Sequence, residues 1–313
     1  MVLDSKLPLY CTVLYCTVLY CDRNHMRIEN ASSEFFTVPP VLFFIIFTHH
    51  LASCSPTMPL EDGTNKEGED LVTTLPYKSK SELDRIILYG THASPATCKT
   101  RALLNLAGVD YERRFGKHPS SSYRKFPVVV LNDQQQINDS HIIFRHVAPI
   151  LFEGYTPDEK DIEIEKMATF GLMLSCEKEA FADIDCMKRW AATAGLVGMT
   201  GFFVRNLAPL SLAKKGAENI ARKHPDLKTP LEYCTILKQE LDQRGGKYFH
   251  GDSVGPLDAS VYGAMAAWAP GGENTMPFMV DALSKSGMSP WYNSVSKDIP
   301  NMWKLHGWFP FYT

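Results

Sequence analysis

The residues with most chemistry to offer stand at two predicted helix starts. The first is Ser94-Pro95-Ala96-Thr97-Cys98-Lys99-Thr100-Arg101. Ser94 is a good helix N-cap, and Pro95 suits the first helical position, where its missing N–H costs nothing and its φ is preset. Cys98 lies one turn on. Two readings of it stay open: a thiol whose pKa is lowered by the helix N-terminus, or an inert core residue. The second start is Asn138-Asp139-Ser140, ahead of Ile142, Ile143, Arg145 and His146. Any of the three can cap that helix. The eight cysteines show no zinc-ligand spacing. His92 and His118 are loop histidines without an assigned partner. Asn30-Ala31-Ser32 and Asn138-Asp139-Ser140 match the glycosylation sequon, a weak pattern that in the second case falls on the candidate site itself.

The elements that must position these residues are short and alternate. Arg85-Ile86-Ile87-Leu88-Tyr89-Gly90 is an apolar, β-branched and aromatic run of strand length. After the turn, Thr100, Leu103, Leu104 and Ala107 recur at helical spacing, and Gly108 can end the helix. Val109 to Phe115 reads as a second strand and Phe126 to Leu131 as a third, with Pro127 tolerated at its start. Gln136-Ile137 is a short fourth. Strand, helix, strand, then a proline-led strand, a hairpin and a closing helix is the order of a thioredoxin-like domain. Periodicity alone gives only a small mixed α/β sheet.

The residues say more. Ser94-Pro95-x-x-x-Lys99-Thr100-Arg101, Phe126-Pro127-Val128 and Asn138-Asp139-Ser140-x-Ile142-Ile143 together resemble the glutathione S-transferase superfamily. Within it, Ser121-Ser122-Tyr123-Arg124-Lys125-Phe126-Pro127 followed by Asn138-Asp139-Ser140 is most similar to the type 2 membrane-associated prostaglandin E synthase family. The resemblance continues to about Trp291. That family carries a Cys-Pro-x-Cys at the first helix start. Here Ser94-Pro95-Ala96-Thr97 stands in its place, so disulfide exchange through that pair is excluded, the thiolate being its nucleophile.

The resemblance implies glutathione as the bound cofactor or substrate, and it implies a role for each site residue. Ser94 either donates a hydrogen bond to the glutathione thiolate, favouring its charged form, or merely caps the helix. Pro127 matches the family's cis-proline, with the Phe126 backbone offered to a peptide-like ligand in strand-addition style. Asp139 and Ser140 match the acidic–serine pair that holds the γ-glutamyl end: the acid answers the ammonium, the hydroxyl and the helix-start N–H groups answer the carboxylate. The other partner implied is a hydrophobic electrophile or lipid-like second substrate. Activity, where present, would be glutathione transfer or an isomerase step. The alternative is a catalytically silent transferase-fold interaction module.

Composition bounds the rest. With 313 residues, 45% hydrophobic and 21% charged, the chain is ordinary for one large or two smaller globular domains. A net charge of −3 gives no electrostatic case for nucleic acid. Residues 1–80 read as a leader. Leu9-Tyr10-Cys11-Thr12-Val13 repeats at once as Leu14-Tyr15-Cys16-Thr17-Val18, a low-complexity pattern expected to carry no fold, and Met26 or Met58 is an alternative start. Val41 to Phe47 is strongly apolar but too short to span a bilayer, which takes about 20 residues. It makes the leader a candidate targeting or membrane-anchoring segment. Pro56 to Asp70 is a charged linker. Cytoplasmic and membrane-associated locations both fit, and a homodimer is compatible with the superfamily.

From Pro157 the pattern turns helical. Ile162, Ile164, Met167, Phe170, Met173 and Leu174 approach one face; Trp190, Leu196, Met199, Phe203, Val204 and Leu207 suggest a second long helix, and Leu231, Leu237 and Leu241 a third. Gly255-Pro256-Leu257-Asp258 resembles the superfamily's capped core helix, with Asp258 reaching back to a backbone N–H and no catalytic role. The expected organisation is a leader at 1–80, a thioredoxin-like α/β domain at 84–149 and an all-helical C-terminal domain at 155–303, a glutathione S-transferase-like fold.

Overall fold

The computed structural model describes residues 7–10, 18–22, 25–28, 75–92, 94–119, 121, 123, 125–193, 208–269, 275–299 and 302. The chain divides into two compact units, Met1–Met58 and Pro59–Thr313. In the first, β1 (Leu7–Tyr10), β2 (Val18–Asp22) and β3 (His25–Ile28) form an antiparallel sheet in that order, with Leu9 opposite Leu19 and Tyr20 opposite Arg27. The five-residue repeat, expected to carry no fold, thus contributes strand residues. Of it, Tyr10, Val18 and Tyr20 are residue types that suit a pleated backbone. The apolar run at 41–47 and the charged stretch to Asp70 lie outside the described residues.

The second unit opens with a four-stranded sheet. Its elements are β4 (Ile86–Gly90), α1 (Pro95–Leu106), β5 (Glu112–Phe115), β6 (Val128–Leu131), β7 (Gln135–Asn138) and α2 (Ser140–Leu151). The strand order is β5-β4-β6-β7; β5 runs parallel to β4, and the other pairings are antiparallel. A parallel pair needs a crossover, and α1 supplies it. The second strand starts later than the sequence suggests, at Glu112. Gly108, at φ 65°, closes α1: its N–H bonds to Asn105 O at 3.1 Å and the Val109 N–H to Leu104 O at 3.3 Å. That double bond is a glycine-terminated helix end and holds the chain back from the sheet.

Side chains alternate across the pleat. Ile87, Tyr89, Val128 and Val130 form a buried cluster on one face, with Tyr123 from the β5–β6 connector packed on it. Ile86, Leu88, Val129, Leu131 and Ile137 are buried on the other.

Beyond α2 the described residues are mainly helical. α3 (Glu159–Lys166) runs into a π-helical stretch (Met167–Leu172) and on into α4 (Met173–Ala182), followed by α5 (Ile184–Thr193), α6 (Ala208–Lys223), α7 (Pro230–Arg244), α8 (Pro256–Ala266), α9 (Pro277–Ser286) and α10 (Ser289–Asp298). Residues 194–207, which the sequence assigns to a long helix with Trp190, lie outside the described residues. No described helix is long and apolar enough to cross a membrane. The architecture is a thioredoxin-like α/β domain followed by an all-helical one.

One expected apolar face is broken. Ile164 and Met173 are buried and Ile162, Met167 and Leu174 half-buried, but Phe170 is 50% exposed. The π-helical stretch explains it, because i→i+5 bonding widens the turn and shifts the phase of the side chains behind it.

α8 is the axis of the helical part, buried along its whole length. Gly263 allows the closest crossing: a Cβ there would collide with the Lys99 and Cys98 backbone of α1. At the start of α8, Asp258 is wholly buried and accepts from Gly255 N–H (3.1 Å), Phe249 N–H (3.0 Å) and Trp291 Nε1–H (2.8 Å). The expected reach-back to the cap is therefore present, with two further donors that tie the preceding loop and α10 to the same carboxylate. Asp258→Ala leaves three buried donors unmade. At about 1–3 kcal/mol for each orphaned group, urea denaturation should show at least about 3 kcal/mol of lost stability.

Candidate functional site

Topology gathers the site. β4 and β7 are each antiparallel to β6 and so run in the same direction, and Tyr89, Val128 and Asn138 stand in one row across the three strands. The helices that follow β4 and β7 therefore both begin at one end of the sheet, and β6 begins there too. Ser94, Phe126-Pro127 and Asp139-Ser140 are brought together by this arrangement. Ligands of α/β sheets sit at such carboxyl ends of parallel strands, beside helix N-termini.

Ser94 caps α1 as expected: its Oγ accepts from Thr97 N–H at 3.3 Å, with Pro95 at N1. The hydroxyl keeps its own proton to donate, although the residue is buried. The Phe126–Pro127 peptide is cis, and Phe126 is half-buried. Asp139 caps α2 at φ 72° and ψ 132°, an uncommon positive-φ conformation outside the left-handed helical region. Its N–H donates to Pro127 O at 3.2 Å. One carboxylate oxygen, Oδ1, accepts from His141 N–H at 2.8 Å; the other, Oδ2, accepts from the Tyr123 hydroxyl at 2.7 Å. A carboxylate has about four acceptor positions, so lone pairs remain for a ligand cation. Ser140 is buried at the first turn of α2.

Cys98 does not join this group. Its thiol is fully buried where α1 meets α8 and donates to His92 O at 3.3 Å. Burial pushes the thiol up to about 11, the nearby Arg101 charge offsetting only part of that. Of the two readings left open for Cys98, the geometry fits the inert core residue: one turn into the helix, desolvation outweighs the helix N-terminus.

His92, unassigned in the sequence, is fixed by Arg101. Its Nδ1 lies 2.9 Å from Arg101 Nη1, and arginine only donates, so Nδ1 accepts and the ring is neutral with its proton on Nε2. Burial, then the charges of Arg101 and Arg113, hold His92 down to about 3. Arg101 also donates to Met302 O, which ties the end of the described chain to α1. His118 stands edge-on to Tyr89, 4.6 Å between ring centres.

Behind the site lies a buried polar cluster that the sequence reading missed. Glu165 of α3, with no exposure, is paired with Lys99 of α1 and His141 of α2. Thr169 of the π-helical stretch donates to Glu165 Oε1 at 2.7 Å and accepts from Lys99. Burial works against a charged Glu165, but the Lys99 ammonium and the His141 hydrogen bond outweigh it and hold the carboxyl down at about 2. The only sequence signal was the placing of charged residues, Lys99 and Glu165, among apolar neighbours at helical spacing.

No protein-family model matches the chain, and no curated protein matches it. Solved structures that it resembles include a glutathione S-transferase from Xanthobacter autotrophicus Py2, 17% identical, covering 67% of this chain and 92% of that one at a TM-score of 0.40. A glutathione transferase from Phanerochaete chrysosporium is 15% identical over 72% of this chain and 99% of that one, with a TM-score of 0.46. A glutathione transferase family member from Pseudomonas fluorescens Pf-5, solved with two glutathione bound, is 13% identical over 72% of this chain and 93% of that one, with a TM-score of 0.40.

The Glu165 cluster generates a pH prediction. A carboxyl held below its unfolded value of about 4.3 contributes stability that is fully present above that value and is lost as pH falls toward about 2. Denaturant unfolding between about pH 5 and 2 should show this loss, and Glu165→Gln should flatten its share of the slope. At pH 7 the same substitution leaves the Lys99 charge buried without its partner and should cost about 3–5 kcal/mol.

Proposed function

We propose that the chain is a glutathione-binding, transferase-like protein, with the glutathione thiol at Ser94 and its γ-glutamyl end at Asp139 and Ser140. One observation carries this reading: Ser94, Pro127 and the Asp139-Ser140 pair meet at one end of the sheet, with Asp139 N–H bonded to Pro127 O. In it, the Ser94 hydroxyl donates to the thiolate, and the α1 N-terminus favours the same negative charge. Asp139 answers the ligand ammonium with the lone pairs that Tyr123 and His141 leave. Ser140 and the first N–H groups of α2 answer its carboxylate. The Phe126 backbone pairs with the ligand's peptide unit.

The finer reading is a relative of the type 2 membrane-associated prostaglandin E synthase family, and it rests on the Ser121–Pro127 and Asn138–Ser140 motifs. A hydrophobic electrophile or lipid-like molecule is then the second substrate. With serine in place of the first motif cysteine, the chemistry would be activation of the ligand's thiol rather than thiol exchange with the protein. A second reading, a catalytically silent interaction module, is favoured by the burial of Ser94 and the raised, buried thiol of Cys98.

Isothermal titration with glutathione tests the binding half. Asp139→Ala removes a charge-assisted contact typically worth about 1.5–3 kcal/mol and should weaken affinity about tenfold or more; unchanged affinity would rule out the pose. For catalysis, Ser94→Ala should slow conjugation of an electrophile by about 10–10³-fold with little change in glutathione affinity. The lost cap also costs about 1 kcal/mol, so rates belong well below the melting temperature. Absence of turnover in both the unmodified protein and Ser94→Cys would decide for the interaction module.

A further inference from the structure

We infer that Tyr123 is a positioning residue for the amino end of the ligand, acting through Asp139. This rests on the glutathione reading above and adds to it the residue that aims the acid. Two features fix where the Tyr123 hydroxyl stands. Its ring packs on the apolar face formed by Ile87, Tyr89, Val128 and Val130. Its backbone N–H donates to Ser121 Oγ at 3.2 Å, and Ser121 is itself buried and donates to Asn138 Oδ1 at 3.5 Å, next to Asp139 in the chain. Ser121 and Tyr123 are thereby tied to the end of β7, and the phenol reaches Asp139 Oδ2 at 2.7 Å.

The geometry gives that hydrogen bond a specific task. Asp139 sits at φ 72°, so its side chain leaves the backbone in a direction set by an uncommon conformation. Its two carboxylate oxygens are held from two sides: Oδ1 by the His141 N–H on α2, Oδ2 by Tyr123 across the site. With one donor the carboxylate could swing about χ2; with two on different oxygens its plane is set, and so are the directions of the lone pairs left over. An ammonium group needs those lone pairs in place, because a charge-assisted hydrogen bond is strong only when it is short and aligned. Ligand groups that do not touch Asp139, including the thiol and the peptide units, gain nothing from Tyr123. The tyrosine therefore selects for ligands that carry a free α-amino group.

The test compares two ligands on the full chain by isothermal titration: glutathione, and glutaryl-cysteinyl-glycine, which is glutathione without its α-amino group. Tyr123→Phe keeps the ring on its apolar face and removes only the donor. It should weaken glutathione binding by about 3–10-fold and leave the affinity for the desamino ligand unchanged. In an Asp139→Asn background the same substitution should have no further effect, because the two residues act as one unit. Equal loss for both ligands, unchanged glutathione affinity, or simple additivity with Asp139→Asn would each overturn the inference. If the unmodified chain binds glutathione but Tyr123→Phe behaves in one of those ways, only the role of Tyr123 falls. If the unmodified chain does not bind glutathione, the functional reading falls and this inference falls with it.

Discussion

The Pro59–Thr313 unit depends on keeping one carboxylate charged where water cannot reach it. Glu165 is paired at once with Lys99, His141 and Thr169. A buried ion pair is weak support for stability as such, since desolvating both charges costs about what their attraction returns, but losing one partner is severe. The consequence is geometric. Lys99 lies five residues beyond Ser94 on α1, and His141 directly follows Ser140 on α2. The two helices whose N-termini make up the candidate site are therefore held to the same point on α3, and the site's shape is coupled to the helical part.

α8 makes the second tie between the two parts. It touches α1 closely enough that only glycine fits at 263, and its own start is organised by Asp258. Two separate devices thus fix α1: a buried charge cluster at Lys99 and a backbone-to-backbone approach beside it. Arg101, two residues further on, binds His92 and Met302 O. Three consecutive polar residues, Lys99, Thr100 and Arg101, are buried on this one helix. The loop that carries Ser94 is fixed in place by what lies behind it.

The site itself uses few parts. In the proposed reading, oriented N–H groups at two helix starts, the Ser94 and Ser140 hydroxyls and the Asp139 carboxylate meet a small, peptide-like, zwitterionic ligand. Ser94 and Thr97 stand where the motif of the proposed family would carry cysteines, which removes thiol exchange with the protein from the proposed chemistry. Cys98 does not replace them, because a thiol deep against α8 is desolvated on every side.

Much of this was legible in the chain. The strand-helix-strand order, the Ser94 cap, a cap within Asn138–Ser140, the Gly108 stop and the Asp258 reach-back are local, set by backbone conformation and by side chains within a few residues. The pairing that brings Ser94, Pro127 and Asp139 to one end of the sheet followed from strand order once the fold class was recognised. What the sequence alone could not show were contacts between residues far apart in the chain: Lys99 with Glu165, 66 residues on, Tyr123 with Asp139, and Arg101 with Met302, 201 residues on. Nor did it show that Cys98 is inert or that a π-helical stretch would turn Phe170 outward. Burial, and the desolvation that shifts a thiol or a carboxylate, belong to the packed structure, because they depend on which distant side chains close over a group, and local spacing does not encode that.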